Sequence, residues 1–254
     1  MFLADTHIHH YLPEFSQDRE TLIEQAINDG INKFYLPNID STSADSMIQL
    51  SQKYPEHCFP MMGLHPCSVK NDFEEELKIA ENYFAKETFY GIGEIGLDLF
   101  WDKTFFEQQQ QAFIIQCQWA VQKNLPVIIH SRNAFEECVA ILEKMSPMPR
   151  GIFHCFSGHA EQARKAIDLG FYLGIGGVLT FKNSGLDKVI TDIELKHLVL
   201  ETDAPYLAPA PYRGKRNVPA YLKLVAEKLA LVKNCSIEKV AEITSQNALT
   251  IMGR

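Results

Sequence analysis

The feature that most constrains the fold of this 254-residue chain is a repeated alternation of short apolar runs with longer amphipathic runs of helical period. Strand-like runs fall at 2–6, 33–37, 58–64, 89–95, 127–130, 151–154, 171–174 and 197–201. Helix-like runs fall between them at 19–28, 44–53, 73–86, 107–123, 134–144 and 161–169, with a shorter one near 186–190. Two more helices, 219–232 and 237–250, form the tail, the second capped by Ser236. Gly30, Asn124 and Gly170 stand where helix C-caps belong. Strands that alternate with helices must pair in parallel, because a helical crossover returns the chain to the same edge direction. Eight such units predict an α/β fold of the TIM (β/α)8 barrel type, and the length suits that closure. A doubly wound open sheet is the alternative.

No Pro/Gly/Ser-rich linker, internal repeat or low-complexity stretch interrupts the alternation, so residues 1–254 are expected to form a single domain. A net charge of −8 argues against a broad basic nucleic-acid-binding surface. It leaves acidic substrates open, since bound divalent ions invert the local field. The six cysteines form no Cys-x-x-Cys pair, which fits reduced thiols in a cytoplasmic protein. Neither a signal peptide nor a membrane-spanning stretch is evident.

In a barrel, chemistry gathers where strands end. The first strand runs into Asp5-Thr6-His7-Ile8-His9, and side chains two apart on a strand share a face. The third gives His65, the fourth Glu94, the fifth His130, the sixth His154 and the eighth Asp203. Each alone has an ordinary explanation, such as packing for His130 or helix capping for Asp203. Together they do not, because gathering these histidines and carboxylates at one barrel end without a cation strands several buried polar groups. With His65 outside the ligand count, six donors remain, which exceed one catalytic zinc site of three protein ligands and a water. They suit two ions sharing a carboxylate. The expected partition is His7, His9 and Asp203 on one ion, His130 and His154 on the other, and Glu94 between them. Mixed imidazole and carboxylate ligation fits zinc, manganese or iron better than magnesium.

Gly91-x-Gly93-x-x-Gly96 matches the dinucleotide-binding pattern, but these glycines fall within and just beyond a strand and no helix opens on them. They are expected to let the backbone pass close to the metal site. Pro211-Tyr212-Arg213-Gly214-Lys215-Arg216 concentrates positive charge after the last strand, where barrels often hold phosphate. Gly174-Ile175-Gly176-Gly177, after the seventh strand, could offer backbone donors to an anion. Arg132 adds a planar donor fork beside His130. Trp101, Tyr206 and Tyr212 are candidates to stack on bases.

These segments resemble a known family. Asp5-Thr6-His7-x-His9, Gly93-Glu94-Ile95-Gly96-Leu97-Asp98, Ile129-His130-Ser131-Arg132, Phe153-His154-Cys155-Phe156-Ser157-Gly158 and Glu201-Thr202-Asp203-Ala204-Pro205-Tyr206-Leu207, in that order, are similar to the motifs of TatD-type metal-dependent hydrolases of the amidohydrolase superfamily. The resemblance implies a TIM barrel and two divalent metal ions, magnesium, manganese or zinc, held by His7, His9, Glu94, His130, His154 and Asp203. It also implies a deoxyribonuclease with 3′-to-5′ exonuclease action on DNA ends or single-stranded DNA. The family's other reported activity, deacylation of D-aminoacyl-tRNA, is the alternative. Asp203 and Glu94 are the expected catalytic residues, and His65, Arg132 and Arg213 the expected substrate-binding ones. One departure is Asp98-Leu99-Phe100-Trp101, where members commonly carry tyrosine after the aspartate. If that tyrosine stacks on substrate, Phe100 or Trp101 must replace it.

Overall fold

The computed structural model describes residues 1–253. Eight strands alternate with helices: β1 (Leu3–Asp5), α1 (Arg19–Asn28), β2 (Ile31–Pro37), α2 (Ser41–Lys53), β3 (Cys58–Met61), α3 (Phe73–Tyr83), β4 (Ile92–Asp98) and α4 (Phe106–Lys123). There follow β5 (Val127–Arg132), α5 (Phe135–Leu142), β6 (Gly151–Phe153), α6 (Ala160–Asp168), β7 (Tyr172–Ile175), α7 (Leu186–Thr191), β8 (Leu198–Leu200), α8 (Leu222–Lys233) and α9 (Ile237–Met252). All ladders are parallel, in the orders β1-β2-β3 and β4-β5-β6-β7-β8.

Two seams join the sheets into a barrel. At one, Met62 bridges Ile92 in parallel, with Gly93 N–H donating to Met62 O at 3.0 Å. At the other, Thr6 N–H donates to Leu200 O at 3.0 Å. The pleat then sorts side chains into two apolar layers. Ala4, Tyr35, Phe59, Met61, Ile128, Ile152 and Val199 pack inside the barrel, where Ala248, Ile251 and Met252 of α9 join them. Leu3, Phe34, Val127, Ile129, Phe153 and Leu200 face outward and pack under the helices. Two residues beyond the inward Ile128, Ile152 and Val199 stand His130, His154 and Glu201, so the same period carries polar groups into the barrel mouth.

The fourth strand runs Ile92–Asp98 rather than 89–95. Its last turns of pleat are polar and glycine-rich, which reads as loop when strands are judged by hydrophobicity. Yet Gly96, Leu97 and Asp98 pair with His130, Ser131 and Arg132 of β5. Glu94 therefore sits in mid-strand, and the strand ends on Asp98. Gly96 has φ +134°, and a Cβ there would lie 2.0 Å from His130 O. That glycine lets two strand backbones meet. α9 is capped as expected, with Lys239 N–H donating to Ser236 Oγ at 3.2 Å. Among the described residues no helix is long and apolar enough to cross a membrane.

Candidate metal centre

His7 and His9 lie beyond β1, so their convergence comes from how residues 6–9 are threaded rather than from a pleat. Ile8 N–H donates to Tyr35 O at 3.1 Å, and His9 N–H to Ala204 O at 2.9 Å. Asp203 N–H donates to His7 O at 2.9 Å. Asp5 tightens the join, its carboxylate accepting from Thr202 N–H at 2.9 Å and the Thr202 hydroxyl at 2.6 Å. Asp203 is thereby held at φ +57°, a left-handed conformation that costs a non-glycine residue roughly 1–2 kcal/mol.

Glu94 is buried at the centre, and its two oxygens face different partners. Oε2 lies 3.2 Å from His7 Nε2 and 3.5 Å from His9 Nε2. Oε1 lies 2.8 Å from His130 Nδ1, 3.1 Å from His154 Nε2 and 3.3 Å from His65 Nε2. On the first side His7 and His9 Nε2 are 3.1 Å apart, and Asp203 Oδ1 is 3.7 Å from each. Four donors held ~2.0–2.2 Å from one ion stand roughly 3.3–3.6 Å from one another in a tetrahedron. The separations that His7 and His9 make with each other, with Glu94 and with Asp203, 3.1 to 3.7 Å, bracket that range. The donor set fits a divalent cation.

Hydrogen bonds away from the centre decide which ring nitrogen His9, His154 and His130 present, whereas His7 Nδ1 is buried without a hydrogen-bond partner. Tyr11 donates its only hydroxyl proton to Pro37 O at 2.5 Å, so its oxygen accepts from His9 Nδ1–H at 3.0 Å and His9 Nε2 keeps its lone pair. His154 Nδ1–H donates to Glu201 Oε1 at 3.2 Å, an oxygen that also accepts from Cys155 N–H at 2.5 Å. His130 is turned the other way: Nε2–H donates to Asp98 Oδ2 at 2.8 Å, and Nδ1 faces Glu94. Such outer partners orient metal-binding histidines and raise their basicity.

His65 differs. Its Nδ1 accepts the Cys67 N–H at 3.0 Å, and a backbone N–H can only donate. The ring proton of neutral His65 is therefore on Nε2, aimed at Glu94. That nitrogen is a donor, not a ligand, although distance alone groups His65 with Glu94 and His130.

The cluster's electrostatics follow from crowding. Burial pushes the Glu94 carboxyl up, but His65, His154 and His7 around it hold it well below the usual carboxylate range. Burial pushes His7 down, as does His154 stacked 3.7 Å from it. His154 moves up, because Glu94 and Glu201 outweigh its burial. Burial raises Asp203 to about 6, against the pull of His154 and His9. A cation entering here displaces protons from histidine, so its affinity rises with pH.

The remaining expected residues are sorted by their surroundings. Arg132, at the end of β5, places its guanidinium 3.8 Å from the Phe100 ring centroid. Arg213 lies 4.4 Å over Phe181. Arg216 is committed to structure, donating to Glu14 O at 2.6 Å and pairing with Asp18. Tyr212 is taken up in a stack with Tyr221 at 4.3 Å, whereas Tyr206 and Trp101 stay exposed. Two of the glycines at the end of β7 and just beyond it are close-approach positions: a Cβ on Gly174 would lie 2.2 Å from Glu201 Oε2, and one on Gly177 2.1 Å from Leu207 O. Sequence reading passed over Tyr11, Asp98 and Glu201 as site residues. The available signal was their position, since Asp98 and Glu201 occupy inward sites on β4 and just beyond β8.

The chain is similar to known proteins over nearly its whole length. The family model described as TatD related DNase matches residues 4–253. The protein named uncharacterized metal-dependent hydrolase YabD, from Bacillus subtilis, is 38% identical over 97% of each chain. The 3′-5′ ssDNA/RNA exonuclease TatD of Salmonella typhimurium is 31% identical over 94% of each. Among solved structures, YjjV, a TatD homologue from Escherichia coli K12, superposes with a TM-score of 0.93 at 29% identity, covering 99% of this chain and 98% of its own.

Proposed function

The chain belongs to the TatD-related DNase family, and from that premise we propose that it is a metal-dependent hydrolase that cleaves phosphodiester bonds at DNA ends or in single-stranded DNA, as a 3′-to-5′ exonuclease. The observation that carries the reading is the division of Glu94, with one oxygen toward His7 and His9 and the other toward His130 and His154. Bridging is what such a carboxylate does in a two-metal phosphodiesterase. His7, His9 and Asp203 would hold one ion, His130 and His154 the other, and Glu94 both. Two divalent cations bound there would supply a water acidic enough to ionise near neutral pH and a counter-charge for the phosphoryl oxygens.

The chain's own groups supply the rest. Asp203, whose carboxylate stands beside His7 and His9, accepts the proton that the attacking water loses. His65 presents Nε2–H, fixed by Cys67 N–H on its other nitrogen, and donates to a phosphoryl or leaving oxygen. Arg132 offers a planar fork to the phosphate, and Arg213 adds charge at the loop after β8.

The test uses end-labelled single-stranded DNA beside aminoacyl-tRNA, each with magnesium, manganese and zinc. Stepwise loss of nucleotides from the 3′ end is expected. His130→Ala and Asp203→Ala should abolish it while leaving circular dichroism and thermal unfolding of the metal-free protein near wild type. Deacylation with an intact nucleic-acid backbone, or full activity in either variant, overturns the proposal.

A further inference from the structure

An aromatic wedge beside the ligand cluster is not accounted for by packing. Trp101 is 67% exposed and Phe100 47%, and contiguous exposed apolar surface marks binding. Both residues follow β4 after Leu99. Their N–H groups each donate to Asp98 Oδ1 at 2.9 Å, and the other oxygen of that carboxylate holds His130. The two rings meet edge to face, with centroids 4.8 Å apart at 88°. Arg132, two residues past His130, lies 3.8 Å from the Phe100 centroid and 5.1 Å from that of Trp101. Trp101 also lines a cavity of about 290 Å³ together with Pro66, Cys67, Val69, Lys70, Asp102 and Gln109. That volume is at the small end of ligand sites, and Pro66 and Cys67 of its lining follow His65 directly in the chain.

We propose that Trp101, braced by Phe100 and Arg132, stacks the base of the terminal nucleotide of a single-stranded nucleic acid in this cavity. The proposal rests on the nucleic-acid reading of the metal centre. A planar, electron-rich ring pair backed by a guanidinium suits a nucleobase face and nearby phosphate charge, as in single-strand binding sites. Stacking uses the π-face that every base has, so the site tolerates base identity. It excludes a terminal base still stacked and paired in a duplex. Asp98 ties the wedge to His130, which sets the distance between the held base and the reacting phosphate.

The chain has two tryptophans; Trp119 is buried against Phe84, with ring centroids 5.7 Å apart. A Trp119→Phe protein therefore reports Trp101 alone. Its fluorescence is titrated, with metal removed by chelation, using a short single-stranded oligodeoxynucleotide and the same strand ending in abasic residues. Saturable quenching is expected with the first, and binding about tenfold or more weaker with the second. In the metal-loaded enzyme, Trp101→Ala should raise KM for the intact strand about 10- to 100-fold with little change in kcat, and Trp101→Phe should recover most of it. Cleavage indifferent to Trp101→Ala, or equal binding of both strands, overturns the platform and leaves the nuclease standing. Quenching without cleavage by the wild type keeps the platform and removes the nuclease.

Discussion

Replacing Asp98 by asparagine tests whether an outer partner sets the donor nitrogen of His130. The aspartate has no free choice of contacts. Oδ1 accepts the Phe100 and Trp101 N–H groups at 2.9 Å each, and Oδ2 accepts His130 Nε2–H at 2.8 Å. Burial pushes this carboxyl up, but His130 and the two backbone donors hold it well below the usual carboxylate range. It is ionised and accepts only. In the asparagine variant, one rotamer keeps Oδ1 on the backbone donors and turns NH2 toward His130. The imidazole then shifts its proton to Nδ1, the nitrogen that faces Glu94, and that lone pair is lost to a metal. The flipped rotamer keeps the His130 contact but sets NH2 against two N–H donors. A hydrogen bond to a charged group contributes ~1.5–3 kcal/mol, and outer-partner mutations cost about 10–100-fold in metal affinity, or ~1.4–2.7 kcal/mol. Competition titration with a chromophoric chelator should show one binding step weakened by that factor. The other, at His7, His9 and Asp203, should be unchanged, because none of those residues touches Asp98. Two unchanged steps, or two steps weakened equally, refute the argument.

His10 is fully buried against Phe15, neither ring nitrogen has a hydrogen-bond partner, and burial together with nearby Arg19 pushes its pKa down to about 3. A histidine kept neutral in the fold gives stability that is present above ~6.5 and lost as pH falls toward about 3, at up to ~1.4 kcal/mol per pH unit. His10→Phe should therefore lose less stability than wild type between pH 6.5 and 5 in metal-free urea unfolding, and an unaltered slope would count against it. Gly96→Ala should destabilise by about 3 kcal/mol or more, since its Cβ would lie 2.0 Å from a backbone oxygen at φ +134°; a urea midpoint near wild type would contradict this.

Much of the fold was legible because two periods, 2 and 3.6, are written in the order of apolar residues. Helix α1 runs over 19–28, as expected from the sequence. The misplaced fourth strand shows the limit. Its mouth-facing residues are Glu94, Gly96 and Asp98, so the hydrophobic signal stops before the hydrogen-bonded ladder does. The donor residues were legible by type and by position at strand ends. Asp98 and Glu201 stood in view beside them, yet nothing local marks a carboxylate as the partner of a histidine 32 or 47 residues away.

The order of residues by itself determined a parallel barrel and the supply of histidines and carboxylates at its mouth, because chain period decides which face each side chain joins. Tertiary structure decided which nitrogen His9, His65, His130 and His154 each present, and which oxygen of Glu94 faces which neighbour. A tautomer belongs to the hydrogen bond on the far side of the ring, and those partners meet only when Tyr11, Asp98, Glu201 and Cys67 are folded against their histidines. The same contacts separate His65, a donor, from His9, His130 and His154, whose inward nitrogens are left able to act as ligands.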